Sequence, residues 1–177
     1  MKPLIRAATE GDIPAIARVH VDTWRSAYGG IVDAAYLGSL SYEDFETRRR
    51  ERFGTPGTRT FVGEAGGEVV AFATAGPNRE LDAKHDSELY AIYVREGFAR
   101  RGIGRGLVAA VAGWLAAENR RGMILWVLRD NAPSRRFYES VGGTPAGEKD
   151  FRFGTQDLPH AAYGWPDVAA LAARLSS

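Results

Sequence analysis

The sequence of 177 residues contains no cysteine. This absence excludes disulfide frameworks, thiolate metal sites and a cysteine nucleophile, and it favours a reducing compartment. No apolar stretch approaches the length of a membrane span, and no apolar run near the amino terminus has the form of a secretion signal. We therefore expect a cytoplasmic protein that neither spans a membrane nor carries an export signal.

Net charge is also nearly absent, because 23 Lys and Arg residues oppose 22 Asp and Glu residues and leave a formal charge of +1. Such a chain has no general attraction for nucleic acid or anionic lipid, so a polyanion would need a local set of donors. We expect a small partner, with no nucleic acid and no membrane. A hydrophobic content of 45% suffices for one core, so residues 1–177 are predicted to form a single domain.

The first third of the chain has mostly helical patterns. Thr9 followed by Asp12 is typical of a helix entry, and the apolar series behind them predicts a helix to about Ala27. Ser41 has the chemistry of an amino-terminal cap. The other elements predicted in this part are a strand at residues 4–8 and helices at residues 34–40 and 42–53.

From Thr60 the apolar pattern changes to a period of two, which predicts strands at residues 60–65 and 68–76. The dipeptide Gly66-Gly67 between them suits a two-residue hairpin turn. An antiparallel pair is therefore expected.

The second half reads as alternating strands and helices. Residues 79–86 are polar and aperiodic and predict a loop. The two strands that follow should lie parallel, because a helix connects them. The predicted elements are strands at residues 87–95, 123–128, 144–152 and 156–165, and helices at residues 102–118, 132–141 and 166–175.

Residues 88–115 combine a strand, a glycine-rich turn and an apolar helix. A helix amino terminus carries unpaired amide donors and a positive dipole end, and glycines let a pyrophosphate approach that backbone. The glycine spacing excludes a dinucleotide fingerprint, since the third required position falls on Leu107, and no Lys-Ser or Lys-Thr follows to make a nucleotidase phosphate loop. An ordinary strand-to-helix turn stays open as the alternative.

A second segment, residues 131–143, follows the strand at 123–128. Asn131 is placed to cap the helix, and Pro133 is tolerated in its first turn. Tyr138 lies seven residues after Asn131, which is two helical turns, so Asn131, Ser134 and Tyr138 share one face that can converge on a ligand.

These two segments resemble the signatures of the GNAT superfamily of N-acetyltransferases. The strand at 88–94 and the turn Arg100-Arg-Gly-Ile-Gly104 are similar to its acetyl-CoA motif, written Q/R-x-x-G-x-G/A. The segment at 131–143 is similar to its asparagine, tyrosine and glycine signature. Two positions depart from the pattern: Ala99 replaces the Q/R residue, and Gly143 replaces an aromatic residue, for which we expect only a packing consequence.

The resemblance covers residues 5–165 and implies an α/β fold of the α+β type, a mixed, strongly twisted sheet of about seven strands flanked by helices. It implies direct transfer of an acetyl group from acetyl-CoA to a primary amine, with no metal. For the pantetheine arm it implies the backbone of Ile92, Tyr93 and Val94. It implies Asn131 and Ser134, at the start of the helix predicted at 132–141, as further cofactor-binding residues. For the pyrophosphate it implies Arg100, Arg101, Gly102, Ile103, Gly104 and Arg105.

Acyl transfer from a thioester to an amine needs a base for the amine and a proton for the departing thiolate. The resemblance implies Tyr138 as the general acid and Glu88 as the candidate base. Strand alternation puts Glu88 on the same side as Tyr90 and Ile92. A merely packed Tyr138 and a solvated Glu88 at the strand end are the alternatives. Trp126 occupies the position where other members carry an acid, and weaker base candidates are His85, Asp130 and Glu139.

The acceptor is expected beside the amino-terminal helices, where Trp24 and Tyr28 are the candidate contacts, although aromatic residues at helical spacing are more often core. A non-catalytic acyl-CoA-binding or regulatory module on the same fold is the competing hypothesis. A longer acyl donor, a hydroxyl acceptor and a protein terminus also stay open. Small members of the superfamily often form homodimers, so a homodimer is compatible with the resemblance.

Overall fold

The computed structural model describes residues 3–80 and 82–176. Within them, seven strands form one mixed sheet in the order β1-β2-β3-β4-β5-β7-β6. The strands are β1 (Leu4–Ala7), β2 (Arg59–Ala65), β3 (Glu68–Pro77), β4 (Ser87–Val94), β5 (Met123–Leu128), β6 (Thr144–Phe153) and β7 (Gln156–Trp165). The helices are α1 (Ile13–Ala27), α2 (Ala34–Ser39), α3 (Tyr42–Arg52), α4 (Ile103–Ala117), α5 (Ala132–Ser140) and α6 (Val168–Leu175). These elements match the predicted fold class.

Local capping chemistry explains where the amino-terminal helices begin. Thr9 and Asp12 form a reciprocal capping box ahead of α1, and Ser41 accepts a hydrogen bond from the Asp44 amide at the start of α3. Arg6 on β1 donates two hydrogen bonds of 2.7 and 2.8 Å to the Asp12 carboxylate. This pair ties the first strand to the first helix, as the predicted order of elements requires.

The β2–β3 hairpin is confirmed. Gly66 and Gly67 have φ angles of 62° and 83°, which is the conformation that a two-residue turn of the mirror-image class needs and that other residues adopt only with strain. The polar loop predicted before β4 lies between β3 and β4, and its residue Leu81 falls outside the described residues.

β4 and β5 are parallel, as predicted, but they pair over only two residue pairs, Ser87 with Met123 and Glu88 with Ile124. β5 continues to Leu128 against β7, with Leu128 opposite His160. The two central strands therefore splay apart towards their carboxyl ends and leave a gap in the sheet.

β4 contains a bulge that overturns the predicted alternation. Ala75 faces Leu89 and Thr74 faces Ala91, so Tyr90 is an extra residue in the ladder. A bulge shifts the alternation of every later side chain by one position. Glu88 therefore shares its face with Ala91 and Tyr93, and not with Tyr90 and Ile92 as strict alternation predicted.

The two faces of the sheet bury different helices. One core cluster joins α4 and α6 to the strands and includes Leu107, Val111 and Leu125. On the other face, α1 and the short helices cover clusters that include Val21, Tyr28 and Phe72. Among the helices in the described part of the chain, none has the length and apolar character needed to cross a membrane.

Candidate active site

A cleft of about 220 Å³ lies where β4 and β5 separate. Its walls include side chains from both faces of these strands, because Leu89 and Ile92 belong to the α4 side whereas Ala91 and Tyr93 belong to the α1 side. The cleft therefore passes into the sheet between the strands. Its aromatic and charged lining residues are Trp24, Tyr28, Arg79, Glu88, Tyr90, Tyr93, Trp126, Tyr138, Phe151, Phe153 and His160.

The turn before α4 presents backbone donors. Arg100 and Gly102 have φ angles of 61° and 79°, and no amide of residues 100–105 donates to a backbone carbonyl of any described residue. A Cβ at Gly102 would meet nothing within 4 Å, so the space in front of this backbone is open. Unpaired amides in such a turn, at a helix amino terminus, form a binding site for an anion.

The other glycines of this turn have packing roles. A Cβ at Gly104 would lie 3.1 Å from the Phe137 ring on α5, and one at Gly106 would lie 3.0 Å from Ile5 on β1. These two glycines let α4 approach its neighbours closely. Among the turn's glycines, only Gly102 combines a positive φ with open space.

The arginine side chains around the turn have their own partners. Arg105 donates to the Arg174 carbonyl at 3.3 Å and so caps the end of α6. Arg101 lies over the Phe98 ring at 5.3 Å, and Arg95 lies 3.6 Å from Glu68. Arg100 is the exception, since its side chain contacts no partner among the described residues. The donors of residues 100–105 that stay available to an anion are therefore the backbone amides and the Arg100 side chain.

Helix α5 carries the asparagine and tyrosine of the second segment. The Asn131 carboxamide oxygen accepts a hydrogen bond of 3.2 Å from the Ser134 amide, which is the predicted cap. Tyr138 lines the cleft and is only 7% exposed. Burial raises the pKa of Tyr138 above its ordinary value of 10, because a phenolate is poorly solvated there. Its hydroxyl makes no hydrogen bond to a described residue.

Glu88 is buried against a single cation. It is 2% exposed, so the prediction of a solvated strand-end glutamate is wrong. The carboxylate accepts hydrogen bonds from Arg79 Nε at 3.0 Å, Arg79 Nη2 at 2.5 Å and the Arg79 amide at 3.2 Å. The same contact raises the pKa of Arg79. A buried carboxylate needs such a partner, because an unpaired charge there is costly.

Trp24 and Tyr28 of α1 both reach the cleft. Their ring centroids are 4.9 Å apart with an edge-on geometry, and Trp24 lies 5.4 Å from Phe153 of β6. Tyr28 is 8% exposed and belongs to the α1-side core. These aromatic residues are therefore both core and cleft wall, and their contact with an acceptor stays a prediction.

A model of the acetyltransferase (GNAT) family matches residues 16–143. The chain belongs to the acetyltransferase (GNAT) family. The match contains the cleft-lining part of α1, the turn before α4 and the whole of α5, so the GNAT assignment covers most residues described above.

Relatives support the GNAT assignment. An uncharacterized N-acetyltransferase of Bacillus subtilis, YuaI, is 38% identical over 167 residues, which cover 94% of this chain and 95% of that protein. The prediction of an N-acetyltransferase enzyme is thereby confirmed. A crystal structure of the PaiA N-acetyltransferase from Thermoplasma acidophilum in complex with coenzyme A has a TM-score of 0.70 at 19% identity, covering 91% of this chain and 98% of that one. A Salmonella typhimurium structure, YncA with acetyl-CoA, has a TM-score of 0.69 at 20% identity and covers 93% and 94%.

Both departures from the GNAT pattern are explained locally. Ala99 is exposed and has an extended backbone directly before the turn with unpaired amides. At Gly143 a Cβ would lie 2.8 Å from the Trp165 ring, so an aromatic side chain has no room. The expectation of a packing consequence is consistent with this contact.

The other base candidates lie apart from the GNAT cleft. His85 contacts Asp82 at 2.5 Å, Glu139 accepts a 2.7 Å hydrogen bond from the Tyr163 hydroxyl, and Asp130 lies beside Arg129. None of the three is a lining residue. In the described part of the chain no group of three or more acidic or histidine residues is arranged to hold a metal ion.

Sequence reasoning missed His160, Arg79 and Lys149. His160 and Arg79 line the cleft, and the Lys149 ammonium lies 4.3 Å from the centre of the lining Trp126 ring. Neither the polar loop at 79–86 nor the strands at 144–152 and 156–165 contain a sequence motif that marks these three residues as functional. Histidine is rare in this sequence, with three residues, and this rarity is the sequence signal that could have drawn attention to His160.

Proposed function

We propose that residues 1–177 form one N-acetyltransferase domain that moves an acetyl group from acetyl-CoA to a primary amine in the cleft between β4 and β5. The observation that carries this proposal is the gap itself. It places the unpaired edge of β4 and Tyr138 on one passage through the sheet, and the turn at 100–105 follows β4 in the chain. Small-molecule and peptide amines both fit the general activity of the family.

The chain's residues fit the donor. Amides of Arg100, Arg101, Gly102, Ile103, Gly104 and Arg105 would hold the pyrophosphate, as their unpaired state supports. Beyond Glu88, β4 has lost its β5 partner, although it stays paired with β3. The backbone groups of Ile92, Tyr93 and Val94 that point away from β3 are therefore free to hydrogen-bond the pantetheine arm as a strand would. Asn131 and Ser134 lie at the facing end of α5. When bound, acetyl-CoA supplies the acetyl group as a reactive thioester.

Tyr138 would donate the proton that the leaving sulfur needs. Its raised pKa keeps the phenol protonated throughout the neutral range. A thiol has a pKa of about 8.5, so this transfer is favourable only if Tyr138 recovers a proton from the acceptor nitrogen in the same event. The hydroxyl must therefore lie within hydrogen-bond reach of both atoms.

Glu88 would act on the acceptor. Its negative charge favours an ammonium group in the cleft, and Trp24 and Tyr28 offer ring faces and edges to the rest of the molecule. Arg79 donates three hydrogen bonds to the carboxylate, so most of its acceptor positions are already filled. We therefore assign Glu88 an electrostatic role towards the amine.

The experiment is thiol release from acetyl-CoA with a panel of primary amines, with mass spectrometry of the products. Tyr138→Phe should lower kcat by about 100-fold or more, because general acid catalysis typically contributes that factor, while acetyl-CoA affinity stays unchanged. Glu88→Gln should raise KM for cationic amines and leave KM for acetyl-CoA unchanged.

Tyr163→Phe is the matched control, since it removes a phenol hydroxyl that bonds Glu139 outside the cleft. Its kcat should stay within a few-fold of the unmodified protein. Tight acetyl-CoA binding with no product from any amine would favour the non-catalytic module and overturn the proposal. A fully active Tyr138→Phe variant would remove Tyr138 from the mechanism.

A further inference from the structure

A histidine faces the cleft in addition to the residues assigned above. His160 of β7 lies opposite Leu128 of β5. Opposed residues of an antiparallel pair share a face, and so do residues two apart along a strand. His160 therefore stands on the same face as Trp126 and Leu128, and the register of β4 with β5 places Glu88 there as well.

The hydrogen bonding of His160 fixes which ring nitrogen is available. Nδ1 lies 2.8 Å from the Leu158 carbonyl oxygen. A carbonyl only accepts, so Nδ1 carries the proton and Nε2 holds a lone pair. Nε2 has no hydrogen-bond partner among the described residues and is not sealed from solvent.

The ring is held in one orientation by its neighbours. Phe153 stacks on it with centroids 5.6 Å apart and 16° between the planes, and Phe151 packs edge-on at 4.6 Å. The residue is only 6% exposed. An imidazole held in one orientation loses little rotamer entropy when it binds a ligand.

Burial of the ring favours its neutral form. Lys149 lies directly across the β6–β7 ladder from it, and burial, with a smaller effect of Lys149, lowers the pKa of His160 below its usual 6.5. The hydrogen bond to Leu158 and the charge of Asp150 act in the opposite direction, and each has a larger effect than Lys149, but burial is the largest effect. His160 is therefore unprotonated at neutral pH and able to accept a proton.

The carboxylates nearest to these residues have cationic partners. Glu88 is closed in by Arg79, and Glu80, ahead of β4, is ion-paired with Lys149. The helices on this side contribute uncharged Trp24 and Tyr28 to the wall. Among the described lining residues, His160 Nε2 is the side-chain nitrogen with a free lone pair.

Resting on the proposed acetyl transfer, we infer that His160 is a catalytic residue that removes the proton from the ammonium form of the acceptor. Nε2 takes one proton from the ammonium, which leaves a neutral amine. The amine nitrogen then forms the C–N bond to the acetyl carbon while the C–S bond breaks. Tyr138 protonates the sulfur and recovers the second proton from the nitrogen, and the imidazolium, beside Lys149, returns its proton to water.

The test uses His160→Asn, whose amide nitrogen can take the place of Nδ1 and keep the hydrogen bond to Leu158 while Nε2 is lost. The probes are tyramine, 2-phenylethylamine, spermidine and an alanine-initiated peptide. With the best of these, kcat/KM at pH 7 should fall by about 100-fold. The deficit should shrink towards pH 9.5, because the variant then receives an amine that is already neutral.

A purely structural role would give a different result. A loss of equal size at every pH, or an unchanged rate at pH 7, would overturn the assignment of His160 while leaving the acetyltransferase proposal standing. If the unmodified protein acetylates none of the four probes, the proposed function and this inference both fail.

A second measurement does not depend on the variant's folding. In the ¹⁵N-labelled native protein, the Nε2 resonance of His160 should have the unprotonated chemical shift at pH 7 and should move on saturation with the active amine. A protonated Nε2, or one that the amine leaves unchanged, would contradict the inference.

Discussion

Gly143 illustrates how a single residue adapts a family pattern. The ring of Trp165 on β7 lies where the first atom of a larger side chain would go, and its Nε1 donates a 3.0 Å hydrogen bond to the Val141 carbonyl. Trp165 is 3% exposed. The aromatic ring at this junction thus comes from β7, and it leaves room at position 143 for glycine alone.

We predict that Gly143→Ala destabilises the protein by about 1–3 kcal/mol, the range for overpacking a well-filled core. The control is Gly113→Ala within α4, where an added Cβ meets nothing within 4 Å. That change should stabilise the protein by about 0.5–1 kcal/mol, because alanine is the better helix former. Urea unfolding of the two variants measures both effects, and equal signs would contradict the packing explanation.

At the scale of elements, the contact of α1 with α3 depends on an uncharged histidine. Arg49 of α3 places Nη2 3.1 Å from His20 Nδ1 on α1. A guanidinium only donates, so Nδ1 accepts and the ring is neutral. The ring also stacks on Tyr93 of β4, with centroids 4.8 Å apart. Burial, and then the charges of Arg49 and Arg48, lower the pKa of His20 to about 3.

This contact should make the protein sensitive to mild acid. Between the ordinary pKa of 6.5 and the folded value of about 3, the unfolded chain binds the proton and the folded chain does not. Stability therefore falls as pH falls, by about 1 kcal/mol for each pH unit from this group. The free energy of unfolding, measured by urea titration from pH 6.5 to 5, should decline less steeply in His20→Asn.

An identical slope in the two proteins would show that His20 already titrates normally in the folded state. The His20 ring also packs on the Phe45 ring of α3, with ring centroids 4.3 Å apart in a tilted arrangement. The NMR resonances of Phe45 therefore report on the same contact. Because the folded ring stays neutral, these resonances should change with pH only as the protein unfolds.

Element boundaries were largely predictable from local patterns. The strands at 123–128 and 156–165 have the predicted bounds, and the helices differ from prediction by at most two residues at their ends. Caps, glycine turns and periodicity act over a few residues, so they can be recognised in the sequence. The bulge at Tyr90 could not, because it arises from how β4 meets β3.

At the scale of the whole molecule, the cleft depends on the order of strands in the sheet. β7 inserts between β5 and β6 and pairs with β5 over six residue pairs, which supports β5 where β4 has departed from it. This placement brings His160 and the aromatic side chains of β6 to the same face as Glu88. The cleft is therefore a product of non-local pairing.

We predict that coenzyme A fills the gap and protects it. Hydrogen exchange of backbone amides should slow at residues 91–94 and 100–105, and the melting temperature should rise, since saturation at about 100 times Kd adds about 2.7 kcal/mol. Gly102→Val should abolish both effects, because a β-branched residue is strained at a φ of 79°.

Gly54→Val is the control, since Gly54 has a similar φ of 77° in a turn after α3 that is remote from the cleft-lining residues. It should cost stability and retain the ligand-induced protection. Protection that appears elsewhere in the sheet, with residues 91–94 unchanged, would contradict the placement of the donor.

The sequence by itself determined the element order, the family and the residues of its two motifs, because capping, periodicity and glycine spacing are encoded over short distances. Only the tertiary structure decided that Glu88 is closed in by Arg79, that Gly104 and Gly106 serve packing, and that His160 faces the cleft. Each of these facts depends on contacts between residues distant in the chain. Their geometry is set by the splay of β4 from β5 and by the insertion of β7, which no local pattern specifies.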